Sequence, residues 1–204
     1  TEQATSDAIK FYVDLQNNDW CPTQEQFANT SATEQFFSGQ GAMFFAGSWD
    51  LANLCSTYTD MNGKWDVAVL PKCPNPESGD GRAVISNSVS YATAAEGKNK
   101  DTAMDFLKFL ASEEGQKIQG ESGVAIPAYN GAADIWAKNN TTFNTKAFVD
   151  MLDYAQIRPY SNSTAKWEDK ATEILKKAYL QDMSAEEACK ETAKMMNDYL
   201  NQEK

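Results

Sequence analysis

The sequence contains no histidine. That absence removes the commonest general base and the proton-transferring member of hydrolytic triads. Four cysteines are present, Cys21, Cys55, Cys73 and Cys189. Their spacing fits no zinc pattern and includes no Cys-x-x-Cys, and no histidine exists to complete a mixed metal site. G-x-S-x-G, P-loop and G-x-G-x-x-G motifs are missing too. No apolar run approaches the ~20 residues of a membrane span. Basic residues are scarce, 18 against 29 acids, for a net charge of −11. Affinity for nucleic acid rests on cations that neutralise phosphates, so nucleic acid and anionic membrane surfaces are disfavoured partners. The charge itself favours solubility. No cofactor is expected.

What is present is a globular composition, 42% apolar and 11% aromatic over 204 residues. That length can bury a sizeable core and reads as a single domain, 1–204. The most informative run is FFSGQGAMFFAGSW, residues 36–49. Gly39 and Gly41 permit a strained turn after a short helix over 33–38. Residues 42–46 form an apolar run between glycines, as a strand buried on both faces would. Gly47 ends it, Ser48 caps a helix to about residue 56, and Trp49 falls in that helix's first turn. A tryptophan there is either core or a ligand-facing surface at a strand's carboxyl end.

Periodicity predicts a helix over 6–17, with Ile9, Tyr12, Val13 and Gln16 on one face. Residues 18–30 read as a polar loop around Cys21-Pro22. Strands are expected at 65–70 and 88–93, separated by a proline- and glycine-rich loop over 71–82. Asn99 is placed to cap a helix whose Ala103, Phe106, Leu107 and Leu110 share a face. Ser112 opens the next helix, with Glu113 and Glu114 at its positive end and Gly120 and Gly123 closing it. Residues 126–128 are extended before Pro127. Helices follow at about 130–138, 144–155, 162–181 and 185–202. The last has a capping box, Ser184 with Glu187, and an apolar face of Ala185, Ala188, Cys189, Thr192, Met195, Met196 and Tyr199. Many helices against few short strands make the class α/β with helix in excess. Trp20, Trp65 and Trp136 read as core or surface.

Five segments, in order, resemble extracellular solute-binding proteins of the carbohydrate type (family 1), the group that includes maltose-binding protein. They are the 36–49 run, WDVAVLP at 65–71, SNSVSYAT at 86–93, the 98–129 segment ending in IPAY, and RPY at 158–160 with the Trp167 helix. The resemblance implies a helix-rich lobe of the periplasmic-binding-protein type II fold, with a short mixed sheet flanked by helices. It matches the C-terminal lobe of a two-lobe protein, so the N-terminal lobe and an export signal are expected upstream of Thr1. It further implies a protein that is not an enzyme. Its partners would be a sugar or oligosaccharide and, in the full-length protein, an ABC-importer permease. The location implied is extracellular and cell-envelope associated, lipoprotein or periplasmic. Self-association through the surface left by a missing lobe is a further expectation.

Sugars present hydroxyl edges and apolar C–H faces, so their sites combine aromatic platforms with short polar groups. The resemblance places Trp49 and Trp167 as stacking aromatics, with Ser48 beside the first. It places Ser86, Asn87 and Ser88 in a ligand loop. Arg158 either forks onto hydroxyls or a carboxylate, or makes a surface ion pair; Tyr160 either faces ligand or packs. The alternative is a carbohydrate-active enzyme or accessory module using Asp50 and Glu168, each directly after a site tryptophan. Both acids read more simply as helix-start residues interacting with a dipole. An even cysteine count in an exported chain permits disulfides, Cys55–Cys73 being the most plausible pair.

Overall fold

The computed structural model describes residues 3–76, 79–139 and 142–203. The chain opens with α1 (Gln3–Asn17), α2 (Gln24–Asn29) and α3 (Ala32–Phe37). A 3-10 turn, Ser48–Asp50, leads into α4 (Leu51–Thr57), and β1 is Val84–Ser86. Then come α5 (Lys100–Ala111), α6 (Glu113–Ser122), α7 (Ala133–Asn139) and α8 (Lys146–Asp150). A second 3-10 turn, Met151–Tyr154, feeds β2 (Ala155–Ile157), and α9 (Thr164–Tyr179) and α10 (Ala185–Gln202) complete the order.

Capping chemistry sets several of these boundaries. The Ser184 hydroxyl accepts from the Glu187 N–H while the Glu187 carboxylate accepts from the Ser184 N–H, which satisfies two orphan donors of α10. Ser31 with Glu34 does the same for α3. Thr23 with Gln26 does so for α2, inside the stretch read as a loop. The T-x-x-Q signal was present there, without a long apolar period behind it. Asn99 precedes α5, but its side chain makes no capping bond. Gly123 ends α6 at φ +71, a left-handed conformation that costs glycine no Cβ clash. α1 ends similarly on Asp19 at φ 56, and the Trp20 N–H returns to the Leu15 carbonyl at 2.9 Å.

The chain divides into two compact units, Thr1–Ala42 with Pro159–Lys204, and Met43–Arg158. The first is built on α1, α9 and α10. Ile174, Ala178 and Ala188 form its buried centre, with Ile9, Val13, Leu175, Met183 and Met195 packed around them. Ala188 is 0% and Ala178 1% exposed. Such small side chains let α9 and α10 approach closely, and each larger neighbour buried there contributes roughly 1.5–3 kcal/mol. Cys189 and Thr192 are buried on the α10 face that the sequence assigned to packing.

The second unit centres on Leu51, Trp136 and Phe143, against Cys55, Trp65, Val67, Ile126, Ala137, Phe148 and Val149. The Trp65 and Phe143 rings lie 4.2 Å apart, and Trp136 meets Phe148 edge-on. Trp136 is 2% exposed, and its indole N–H donates to the Gly123 carbonyl at 3.0 Å. Asp66 Oδ1 accepts from the Asn144 N–H at 2.6 Å, tying two distant stretches together.

The strands differ from expectation. Among the described residues the one ladder is parallel, β1 against β2, with Val84, Ile85 and Ser86 paired to Ala155, Gln156 and Ile157. Residues 42–46, 65–70 and 88–93 are extended or irregular and are not strands. The run 42–46 is not buried either: Met43 is 89% and Phe45 64% exposed. An apolar run records a preference for burial, but a strand exists only where a second backbone meets its N–H and C=O groups. β2 follows directly after the stretch read as helix to about 155. Cys21, Cys73 and Cys189 are free thiols, so the Cys55–Cys73 bridge is not formed.

Candidate functional site

The turn that follows Gly47 is built around one aromatic contact. A Cβ on Gly47 would fall 2.3–2.4 Å from Cζ2, Cε2 and Cη2 of Trp49. The indole therefore lies directly on the glycine backbone, and only a residue without a side chain admits it there. Trp49 remains 55% exposed, so a broad part of the ring stays in solvent. Ser48 is half-buried in the same 3-10 turn. Asp50 Oδ2 accepts from the Gly47 N–H at 3.4 Å, which closes the turn on itself. Asp50 thus acts as a helix-start acid, as one of its two readings had it.

The second cluster comes from the β1–β2 register. Parallel strands leave a sheet in the same direction. Because Ser86 pairs with Ile157, Asn87 and Ser88 continue from the same carboxyl edge as Arg158. Hydroxyl, amide and guanidinium groups separated by 70 positions in sequence thereby reach one end of one sheet. Ligands of open α/β sheets gather at this edge. Ser86, Asn87, Ser88 and Arg158 are all exposed.

Tyr160 and Trp167 belong to the first unit. Tyr160 is 81% exposed. Trp167 is only 7% exposed, and its indole N–H donates to Ser161 Oγ at 2.9 Å. This corrects the stacking role assigned to Trp167: a side chain that buried packs α9 and offers no open face to a sugar. Its position in the first turn of a helix resembles that of Trp49, and nothing local in the sequence separates the two. Glu168, beside it, lies in a different unit from Asp50.

The second unit also has a concavity of about 190 Å³ lined by Leu51, Ala52, Ser122, Gly123, Trp136 and Asn139. Its polar groups were not anticipated, because they are assembled by packing of α4, α6 and α7 and share no motif. In the first unit a groove of about 470 Å³ runs between α9 and α10, where Lys170 stands 5.5 Å from the Tyr199 ring centroid. Among the described residues no helix is long and apolar enough to cross a membrane.

Comparison with known families supplies one match. The family model described as bacterial extracellular solute-binding protein matches residues 1–117. That span includes the glycine–tryptophan turn, the 86–88 stretch and α5. A comparison with curated proteins finds none that matches.

Proposed function

Because the chain belongs to the bacterial extracellular solute-binding protein family, we propose that its solute is a carbohydrate. An oligosaccharide fits best, received outside the cytoplasm and handed to an ABC-importer permease. The observation that carries the reading is the pairing of chemistries within the second unit. The Trp49 ring lies against Gly47 and is 55% exposed, which suits the C–H face of a sugar. The β1–β2 register gathers Ser86, Asn87, Ser88 and Arg158, whose donors and acceptors suit sugar hydroxyls. Ser48 completes the set within this unit, while Tyr160, kept as a separate ligand-facing candidate, and Trp167, the anchor of its helix, belong to the first unit.

The order of motifs along the chain resembles the later part of such receptors, which supports reading it as the C-terminal lobe of a two-lobed clamp. A clamp that closes by hinge motion divides its contacts between two walls. One wall alone binds weakly. No catalytic step is assigned: Asp50 is engaged with its own turn.

The test is a glycan panel titrated at millimolar concentration into the ¹⁵N-labelled chain. Oligosaccharides are expected to shift the Trp49 indole and the 86–88 and 158 amides. Trp49→Ala should weaken that response roughly tenfold to a hundredfold, the cost of losing one buried aromatic contact. If no glycan shifts these signals, the carbohydrate reading fails. Micromolar affinity for the isolated chain would overturn the one-wall reading.

A further inference from the structure

The last residue described at the carboxyl end of α10 reaches back to the segment that carries Tyr160. Glu203 Oε1 accepts from the Ser163 N–H at 2.6 Å and from the Ser161 hydroxyl at 2.9 Å. Glu203 Oε2 accepts from the Asn162 N–H at 3.2 Å. Ser161 Oγ, while donating to the carboxylate, accepts from the Trp167 indole N–H at 2.9 Å and from the Ser163 N–H at 3.2 Å. Thr164 closes the same turn from the other side: its Oγ1 accepts from the Ser161 N–H at 2.6 Å and donates to the Ser161 carbonyl at 2.7 Å. One carboxylate, two serines and a buried tryptophan thus form a continuous chain of hydrogen bonds. It links residues 40 positions apart, at the start of α9 and the end of α10.

We propose that Glu203 is a positioning residue. Through Ser161 and the Ser161–Ser163 turn it fixes both the Trp167 indole and the backbone from which Tyr160 projects. The inference rests on the carbohydrate reading only in giving Tyr160 a ligand to face. Charge-assisted bonds from a carboxylate to backbone N–H groups are among the stronger and more directional of protein hydrogen bonds. Here they meet the N–H groups of Asn162 and Ser163, which lie just before α9 and outside its own hydrogen-bond ladder. Tyr160 is 81% exposed, so the turn that follows it holds the backbone from which it projects. Side chains that recognise a ligand need such supports to hold their geometry. Glu203 touches no ligand. It acts at one remove, as the acceptor that orders the turn.

The test uses the full chain with ¹⁵N-labelled tryptophan, the Trp167 indole signal being assigned by its absence in Trp167→Phe. Glu203→Ala is expected to shift that signal and to speed exchange of the indole hydrogen by about tenfold or more, because local opening of the turn is no longer opposed. Glu203→Gln keeps one carbonyl oxygen for Ser161 and Ser163 but turns an NH₂ group toward the Asn162 N–H. It should therefore fall between the two and guard against the alanine variant failing to fold. Circular dichroism should show helix content unchanged in the glutamine variant. In a uniformly ¹⁵N-labelled chain, with a glycan that shifts the wild-type Tyr160 amide, that shift should be lost in Glu203→Ala while the Trp49 response stays. Indole exchange within twofold of wild type in both variants would overturn the proposal. If no glycan shifts any signal in wild type, the carbohydrate reading falls, and indole exchange still decides whether Glu203 holds the turn.

Discussion

Gly47 shows how one residue's lack of a side chain determines the use of another. The sequence G-S-W allows many arrangements, and the one found lays the indole where a Cβ would be. Gly47→Ala places a methyl carbon 2.3 Å from ring atoms, well inside van der Waals contact. The backbone there, at φ −99 and ψ 160, suits alanine, so the effect falls on the ring and not on the chain. The variant should displace the Trp49 indole, visible as a changed fluorescence maximum, and should weaken the glycan response roughly tenfold. An unchanged spectrum would show that the ring does not rest on the glycine. Trp167 makes the opposite point. It too sits in an opening helical turn, yet it is buried and bonded to Ser161, and no property of the residue itself distinguishes it from Trp49.

At the scale of elements, helices were legible where a cap and a period coincide. α10 runs from the residue after Ser184 to Gln202, as the capping box and apolar face require. The bonds from Ser184 hold the Glu187 carboxyl below its usual range. A carboxyl with a depressed folded pKa adds stability in full above the ordinary glutamate pKa of about 4.3 and loses it as pH falls through the lower folded value. Ser184→Ala should cost about 1 kcal/mol in urea unfolding at neutral pH. The gap from wild type should narrow below pH ~4. A gap that widened in acid would contradict the reciprocal cap. α2 was missed despite its Thr23–Gln26 box, because six residues show no apolar period. Strands were the least legible elements. Val84–Ser86 and Ala155–Ile157 pair across about 70 residues, and nothing in either tripeptide names the other. The stronger apolar signal of 42–46 found no ladder, so its Met43 and Phe45 stay in solvent.

At the scale of the molecule, two units carry two separate cores, one around Ile174, Ala178 and Ala188 and one around Leu51, Trp136 and Phe143. Trp136→Ala removes the largest fully buried side chain and leaves the Gly123 carbonyl without its indole donor. It should cost about 3–5 kcal/mol in the second unit. The α1, α9 and α10 helices should persist, since their packing involves none of those residues. Hydrogen exchange followed segment by segment checks this: uniform loss of protection across both units would refute separate cores. The second unit also exposes Met43, Phe45, Val89 and Tyr91 outside the strands, and Ile85 and Ile157 within them.

The sequence by itself determined the longer helices, the capping box of α10, the absence of histidine chemistry and the family match over residues 1–117. These are local properties, decided by residues within one or two turns of each other. Tertiary structure decided which strands exist, which tryptophan is open and which is buried, and that Ser86–Ser88 share an edge with Arg158. It also brought Glu203 to the turn beside Tyr160. Each of those outcomes requires a partner far along the chain, and the free energy that selects the partner comes from burial and hydrogen bonding available only once both segments meet.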